Sequence, residues 1–269
     1  MLTNPRSDRV VSVRALTKRS VRTRTGRFVV EGPQGVREAI RYAGDRIVDI
    51  YLTAAARERY TTDIADPARA AGFWVHEVSP EVLTAMSGTD APQGVLAVVS
   101  ATHPTLEQVL ARSPRLLVLL THVRDPGNAG TVIRGADAAG ADAVLVSESS
   151  VDVLSPKVVR STAGSLFHLP VVTGLPVEAT LATLARHGLR TYAADGAGTL
   201  LLPEARLDVP HCWVMGNEAW GLEESVRDLC DEVVRVPIHG RAESLNLAMA
   251  ATVCLYASAG AIPTTTHDG

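Results

Sequence analysis

Residues 115–149, RLLVLLTHVRDPGNAGTVIRGADAAGADAVLVSES, decide the fold. RLLVLLTHV (Arg115 to Val123) is an unbroken apolar run of strand length, the pattern of a parallel strand buried on both faces. After the loop RDPGNAG come a helix, TVIRGADAAG, and a second apolar strand, ADAVLVSES. Strand, glycine-bearing loop, helix and strand make one turn of an α/β fold with a parallel sheet. The rhythm continues through strand-like LFHLPVV, LRTYAAD, HCWVMG and EVVRVPI, with helices expected at VEATLATLARHG, EESVRDLC and SLNLAMAATVCLYASAG. Upstream, RFVVEGP, IVDIYLT, FWVHEVS and GVLAVVS read as strands, interleaved with helical VREAIRYAG, AAARERY and SPEVLTAM. SPEVLTAM carries its own start signal, Ser79 as N-cap and Pro80 at the first position. The chain is therefore expected to form a smaller α/β domain over 1–100, a connector over 101–112 and a second α/β domain over 113–264.

The composition agrees with a folded α/β protein. Of 269 residues, 46% are apolar and 20% charged, which sets aside disordered, collagenous and repeat classes. Aromatics are only 4%, which favours helices packed closely on a sheet over an aromatic-rich β core. No apolar run is long enough to span a bilayer, and the first residues hold no hydrophobic signal core, so a cytoplasmic location is expected. Cys212, Cys230 and Cys254 are too few and scattered for a disulfide framework, and without CxxC spacing no metal site is expected. Charge is unevenly spread. Up to Val30, the bases Arg6, Arg9, Arg14, Lys18, Arg19, Arg22, Arg24 and Arg27 face one acid, Asp8, on a chain whose net charge is −3. A basic arm on an acidic body fits nucleic-acid binding, and it fits a solvated tail equally well. Val10, Val13 and Leu16 within the arm keep helical spacing.

Three constellations hold polar residues where strands end. Val123–Arg134, VRDPGNAGTVIR, is a strand end, a turn and a helix start, with Asn128 and Arg134 six residues apart. Val214–Leu222, VMGNEAWGL, sets Glu218 between Gly216 and Gly221, where it could bind a ligand or cap the following helix. Val236–Ala248, VPIHGRAESLNLA, offers Ser244, a natural N-cap for the alanine-rich helix, and Asn246, for which helix capping gives no reason. Ligands of open parallel sheets bind at such strand ends. The set contains no Ser or Cys paired with a His base, so a hydrolase triad is excluded.

DPGNAGTVIRGADAAG, GNEAWGL and VPIHGRAESLNLA, in this order, resemble the three signature motifs of the SpoU/TrmH family of SPOUT methyltransferases. GRFVVEGPQGVREAI and DAPQGVLAVV resemble, more loosely, the RNA substrate-binding domain of rRNA-modifying members. The resemblance implies S-adenosylmethionine-dependent 2′-O-ribose methylation of RNA, a C-terminal deep trefoil knot and a homodimer; the alanine-rich helix Leu245 to Gly260 could give the dimer a small-residue contact surface, and it could equally pack on its own sheet. It implies rRNA, most of all 23S rRNA, ahead of tRNA as substrate. It places Asn128, Arg134, Glu218, Ser244 and Asn246 in the active site. Largely backbone contacts to the methyl donor fall at Gly216, Val236, Ile238 and Leu245, and also at Ala194, Asp195 and Gly196 of YAADGAG. The arm from Arg6 to Arg27 would supply phosphate contacts. Asn217 and Trp220 depart from the family pattern, being bulkier than the residues often found there.

Two other functions are compatible with parts of the chain. Gly127, Gly130 and the following Glu148 partly match a dinucleotide-binding fingerprint, which would make the protein a Rossmann-type oxidoreductase. The basic arm alone would suit a non-catalytic RNA-binding protein.

Overall fold

The structure is a computed structural model that describes residues 1–89 and 91–262; Asp90 and the expected domain end at 263–264 lie outside the described residues. The chain forms two units, Met1–Thr102 with Asp152–His168, and His103–Val151 with the residues from Leu169 onward. In the first unit, β1 (Arg27–Glu31), β2 (Ile47–Leu52), β3 (Val75–Glu77) and β4 (Val95–Ser100) pair in the order β1-β4-β2-β3. β4 runs antiparallel to both neighbours, and β2 and β3 are parallel. The helix Pro80–Met86 starts as its sequence signals, with the Ser79 hydroxyl accepting the Val82 N–H.

The basic arm is part of this core. Val10 and Val13 of the helix Asp8–Ala15, with Leu16 after it, pack against Val29, Tyr51, Val82 and Val98. One cation leaves the expected RNA-binding set. Arg22 is 5% exposed; its Nη1 donates to the Leu16 and Thr17 carbonyls at 2.8 Å each, and its Nε donates to Asp152 at 3.1 Å. It serves the unpaired carbonyls at the end of the first helix, a role cations fill well there. Arg6, Arg9, Arg14, Lys18, Arg19, Arg24 and Arg27 are exposed. Asp152 belongs to a segment that follows the first βαβ turn of the second unit yet packs here. Its helix Pro156–Ser161 lies on β1, and Arg160 donates to Glu31 at 2.8 Å.

The second unit is a seven-stranded, fully parallel sheet. Its strands are β5 (Leu116–Leu120), β6 (Ala143–Ser147), β7 (Val171–Leu175), β8 (Arg190–Ala194), β9 (Leu200–Leu201), β10 (His211–Met215) and β11 (Glu232–Arg235). They lie in the order β7-β6-β5-β10-β8-β11-β9. β5, β6 and β10 are buried along their whole length, because helices cover both faces. Leu117, Leu119, Cys212 and Val214 pack with Leu181 and Leu184 of the helix Val177–Arg186. Helix Pro126–Ala138 packs on β6, and helix Leu247–Ala261 packs on it, on β8 and on β10. Several boundaries differ from expectation, among them that of the helix after β5, which begins at Pro126 inside the expected loop RDPGNAG. Leu166 and Phe167 of LFHLPVV form a 3-10 turn, and the strand begins only at Val171, after Pro170. The C-terminal helix begins at Leu247, capped by Asn246 and not by Ser244: the Asn246 Oδ1 accepts from Ala248 N and Met249 N.

A buried polar hub ties that helix to β10. His211 is fully buried, with Nδ1 2.7 Å from the Val209 carbonyl and Nε2 2.7 Å from the Ser258 hydroxyl. Trp213 Nε1 donates to the same hydroxyl at 2.8 Å. The network is satisfied by a neutral ring that donates from Nδ1 and accepts at Nε2. Burial lowers the His211 pKa below its ordinary value of 6.5. The unfolded chain then takes up the proton first, so this contribution to stability is full above pH 6.5 and is lost as the pH falls below it. Denaturant unfolding at pH 7.5 and 5.5 is expected to show that loss, and His211→Gln to flatten it. An equal slope in the variant would contradict the assignment.

Candidate functional site

Parallel strands end on one edge, and β5, β10 and β8 are neighbours, so the loops after them meet. After β5 the chain turns at His122, which has φ 52°, and enters helix Pro126–Ala138. Asp125 is its N-cap, accepting the Asn128 N–H at 2.7 Å, and Pro126 opens its first turn. Glu218 does not cap the helix that follows it. It reaches across to the loop before Pro126, accepting from Arg124 N at 3.2 Å and Asp125 N at 3.0 Å. A carboxylate at this helix entrance is favoured by the helix dipole.

From there one hydrogen-bond chain links all three motifs. Asn128 Nδ2 donates to Glu218 at 3.3 Å, and Asn246 Nδ2 donates to Asn128 Oδ1 at 3.0 Å. Asn246 thus both starts the last helix and holds Asn128, which answers why an Asn stands there. In the sequence Asn217 stands out only as a departure from the family pattern. It is 6% exposed, donates to the His122 carbonyl at 2.7 Å and accepts from Ala219 N at 2.8 Å. Its backbone pairs with Gly221 in both directions, at 2.8 and 2.9 Å, closing the loop on itself. Nothing local in the sequence signals this, because its partner lies on another strand's loop.

Beside this chain is a cavity of about 660 Å³ at the carboxyl ends of β8, β10 and β11. Ala194, Asp195, Gly196, Gly216, Val236, Ile238 and Leu245 all line it, with Glu218 and Ser244. Asn128 and Asn246 are not in its lining: Asn128 is bonded to Glu218, and Asn246 stands between the lining residues Leu245 and Leu247. Arg134 lies outside its lining: it is exposed, and it has no hydrogen bond or ion pair among the described residues. Six residues at 1.5 Å each set it about 9 Å along the helix from Asn128. The cavity suits an adenosyl group. Its volume is that of a cofactor-sized pocket. Leu201, Leu245 and Leu247 give it apolar walls. Residues 238–245 make no backbone–backbone hydrogen bonds among the described residues, leaving N–H and C=O groups open to a ligand.

Gly216 is required by close approach. A Cβ there would overlap the Gly221 carbonyl group and Leu222 N, which are backbone and cannot rotate away. Gly216→Ala is expected to push the loop carrying Glu218 out of place, costing about 1–3 kcal/mol of stability, the scale of overpacking. Calorimetry should show S-adenosylhomocysteine binding weakened by about tenfold or more, which that same 1–3 kcal/mol permits. Unchanged binding would remove this loop from the donor site.

No group of three or more His, Cys, Asp or Glu side chains among the described residues is arranged for a metal. Burial pushes the Cys230 and Cys254 thiols up to about 12 and the Cys212 thiol higher still, which keeps them from acting as nucleophiles.

Comparison with known proteins agrees with this geometry. Residues 115–256 match the SpoU rRNA Methylase family, and residues 7–97 match the MRM3-like substrate binding domain. The chain is 32% identical over 255 residues to the 23S rRNA (guanosine(2553)-2′-O)-methyltransferase RlmP of Bacillus subtilis, covering 93% of this chain and 96% of that one. It is 34% identical over 256 residues to the 23S rRNA (uridine(2479)-2′-O)-methyltransferase of Streptomyces viridochromogenes, covering 90% and 85%. The crystal structure of the AdoMet-bound rRNA methyltransferase from Sinorhizobium meliloti superposes with a TM-score of 0.81 at 27% identity, covering 98% of each chain. With its three motifs joined around one cavity, this chain belongs to the SpoU rRNA methylase family.

Proposed function

We propose that the protein methylates the 2′-hydroxyl of a ribose in RNA, that the RNA is 23S rRNA, and that the methyl donor is S-adenosylmethionine. The observation that carries this is the hydrogen-bond chain Glu218–Asn128–Asn246 at the rim of the cavity. Residues 194–196, 216, 236–238 and 245 would hold the donor. When bound, S-adenosylmethionine supplies a methyl group on a sulfonium. The residues of the chain hold donor and alcohol in line, a positioning effect worth roughly 7–11 kcal/mol in well-oriented reactions. Arg134 has an electrostatic role and not that of the base. Its guanidinium would stabilise the negative charge that builds on the 2′-oxygen as the methyl group leaves the sulfonium sulfur for that oxygen; the S–C bond breaks to leave the neutral thioether, and the hydroxyl proton would pass to an RNA phosphate or to water.

The active form is a homodimer. Arg134 stands away from the cavity of its own chain, and an apolar face lies open on the helix that packs beside it. Met249, Val253 and Tyr256 are 59%, 42% and 53% exposed, and their spacing sets them on one side of that helix. These large residues, and not the alanines of the same helix, form the proposed contact. The knotted topology has support in the chain path. The segment 236–246 leaves β11, beyond β8, and returns to a helix on β10 and on Pro126–Ala138. RNA recognition falls to the first unit and its exposed arm cations. No helix among the described residues is long and apolar enough to cross a membrane, and action on ribosomal RNA accords with a cytoplasmic location. The two relatives named above act on a guanosine and a uridine, so membership of the family leaves the base open.

Transfer of tritium from labelled donor to 23S rRNA, followed by mapping of 2′-O-methyl sites in cells with and without the protein, tests the activity. Label in tRNA alone would correct the substrate. Label in no RNA would leave a non-catalytic binding protein, and binding of NADH alone would favour an oxidoreductase.

A further inference from the structure

Trp220 is 53% exposed on the loop that carries Glu218. Residues 216–219 and Gly221 line the donor cavity, yet Trp220 between them does not. The ring therefore stands outside the cavity, on a loop whose path is fixed by the paired Asn217 and Gly221 backbones. Its neighbour is a cation. The Arg124 guanidinium carbon lies 5.9 Å from the indole centroid, a cation–π distance, while the Arg124 N–H donates to Glu218. Arg124 itself is exposed and has no acidic partner among the described residues. An exposed indole beside an unpaired guanidinium offers a π surface and a positive charge together, which fits a ligand that is flat, aromatic and anionic.

We propose that Trp220 and Arg124 form the platform on which the base of the target nucleotide stacks, an inference that rests on RNA 2′-O-methylation as the activity. Unstacked RNA bases bind in this way to aromatic rings and guanidinium planes. Arg124 braces the ring and offers its charge to the adjoining phosphate. Covalent geometry links the platform to the reaction. Only C1′ and C2′ separate a base from its 2′-oxygen, so a base on Trp220 delivers that oxygen beside Glu218 and Asn128, at the rim of the donor cavity. Trp220 is then a substrate-positioning residue that captures the nucleotide without touching the donor.

Steady-state methylation of a 23S rRNA fragment containing the mapped nucleotide tests this. Trp220→Ala should raise KM for the RNA by about tenfold, the scale of one lost base–aromatic stack, with a much smaller change in kcat. Affinity for S-adenosylhomocysteine should stay unchanged, and Trp220→Phe should recover most of the loss. With an abasic ribose at the target position, unaltered protein and Trp220→Ala should show the same KM. A KM unaffected by Trp220→Ala, a Phe variant as impaired as Ala, or a penalty that persists on the abasic RNA would overturn the platform. A shift of Trp220→Ala to a smaller species in sedimentation would overturn it too, by making the ring a protein contact. If the unaltered protein transfers no methyl group to RNA, the activity itself is refuted, a result distinct from all of these.

Discussion

Arg134→Ala is expected to lower methyl transfer by about a hundredfold or more, the loss seen when one donor to a developing oxyanion is removed. The structure makes this a clean experiment. Arg134 is exposed, stands outside the donor cavity and has no partner among the described residues, so its removal neither opens the core nor breaks a hydrogen bond. Folding and S-adenosylhomocysteine affinity should be those of the unaltered protein. Arg134→Lys keeps the charge and loses the planar fork that can hold a hydroxyl and a phosphate together, so it should be nearly as impaired. Kinetics with saturating donor, alongside calorimetry, check both variants. Near-normal turnover in Arg134→Lys would reduce the role to a point charge. Loss of donor binding in Arg134→Ala would move the residue into the cofactor pocket.

Much of this was open to sequence reading, for a physical reason. Runs such as LLVLL and AVLVS are apolar without alternation, and only a strand covered on both faces needs that. The helix at Val10 and Val13 was also visible in its spacing, although the surrounding charge argued equally for a solvated tail. What stayed hidden depends on partners distant in sequence. Arg22 looks like any other arm cation until Asp152, 130 residues away, closes on it. Val158 and Val159 are an apolar pair in a short helix, and nothing local says that they are buried in the first unit. Ser244 and Asn246 are both good N-cap types two residues apart. The choice between them is made by where the chain turns in toward Asn128. The site residues were legible mainly through resemblance to a family, since Asn, Glu and Arg at strand ends have many uses. Their hydrogen-bond order, with Glu218 serving the entrance of a helix more than ninety residues earlier in the chain, required the fold.

Mixing two impaired variants, at a donor concentration too low to saturate Gly216→Ala, is expected to restore activity, and this is the stronger test of how the site is assembled. Arg134→Ala keeps a complete donor cavity and lacks the cation; Gly216→Ala displaces the cavity loop and keeps Arg134, which lies further along the helix than the entrance that loop touches. If each cavity is completed by the partner's helix, a mixed dimer has one whole site, formed by the cavity of the first variant and the Arg134 of the second. Random exchange makes half of all dimers mixed, each with one of two sites working, so about a quarter of full activity should return in a symmetric dimer. If Arg134 serves its own cavity, no mixed dimer contains a whole site and activity stays at the background of the parents. The exposed face Met249, Val253 and Tyr256 supplies the control. Val253→Glu would bury a charge in the proposed contact, which costs several kcal/mol when unpaired. It should yield monomers in sedimentation with an intact donor cavity, and it should abolish the restoration. A monomer that methylates RNA at the normal rate would show that one chain completes its own site.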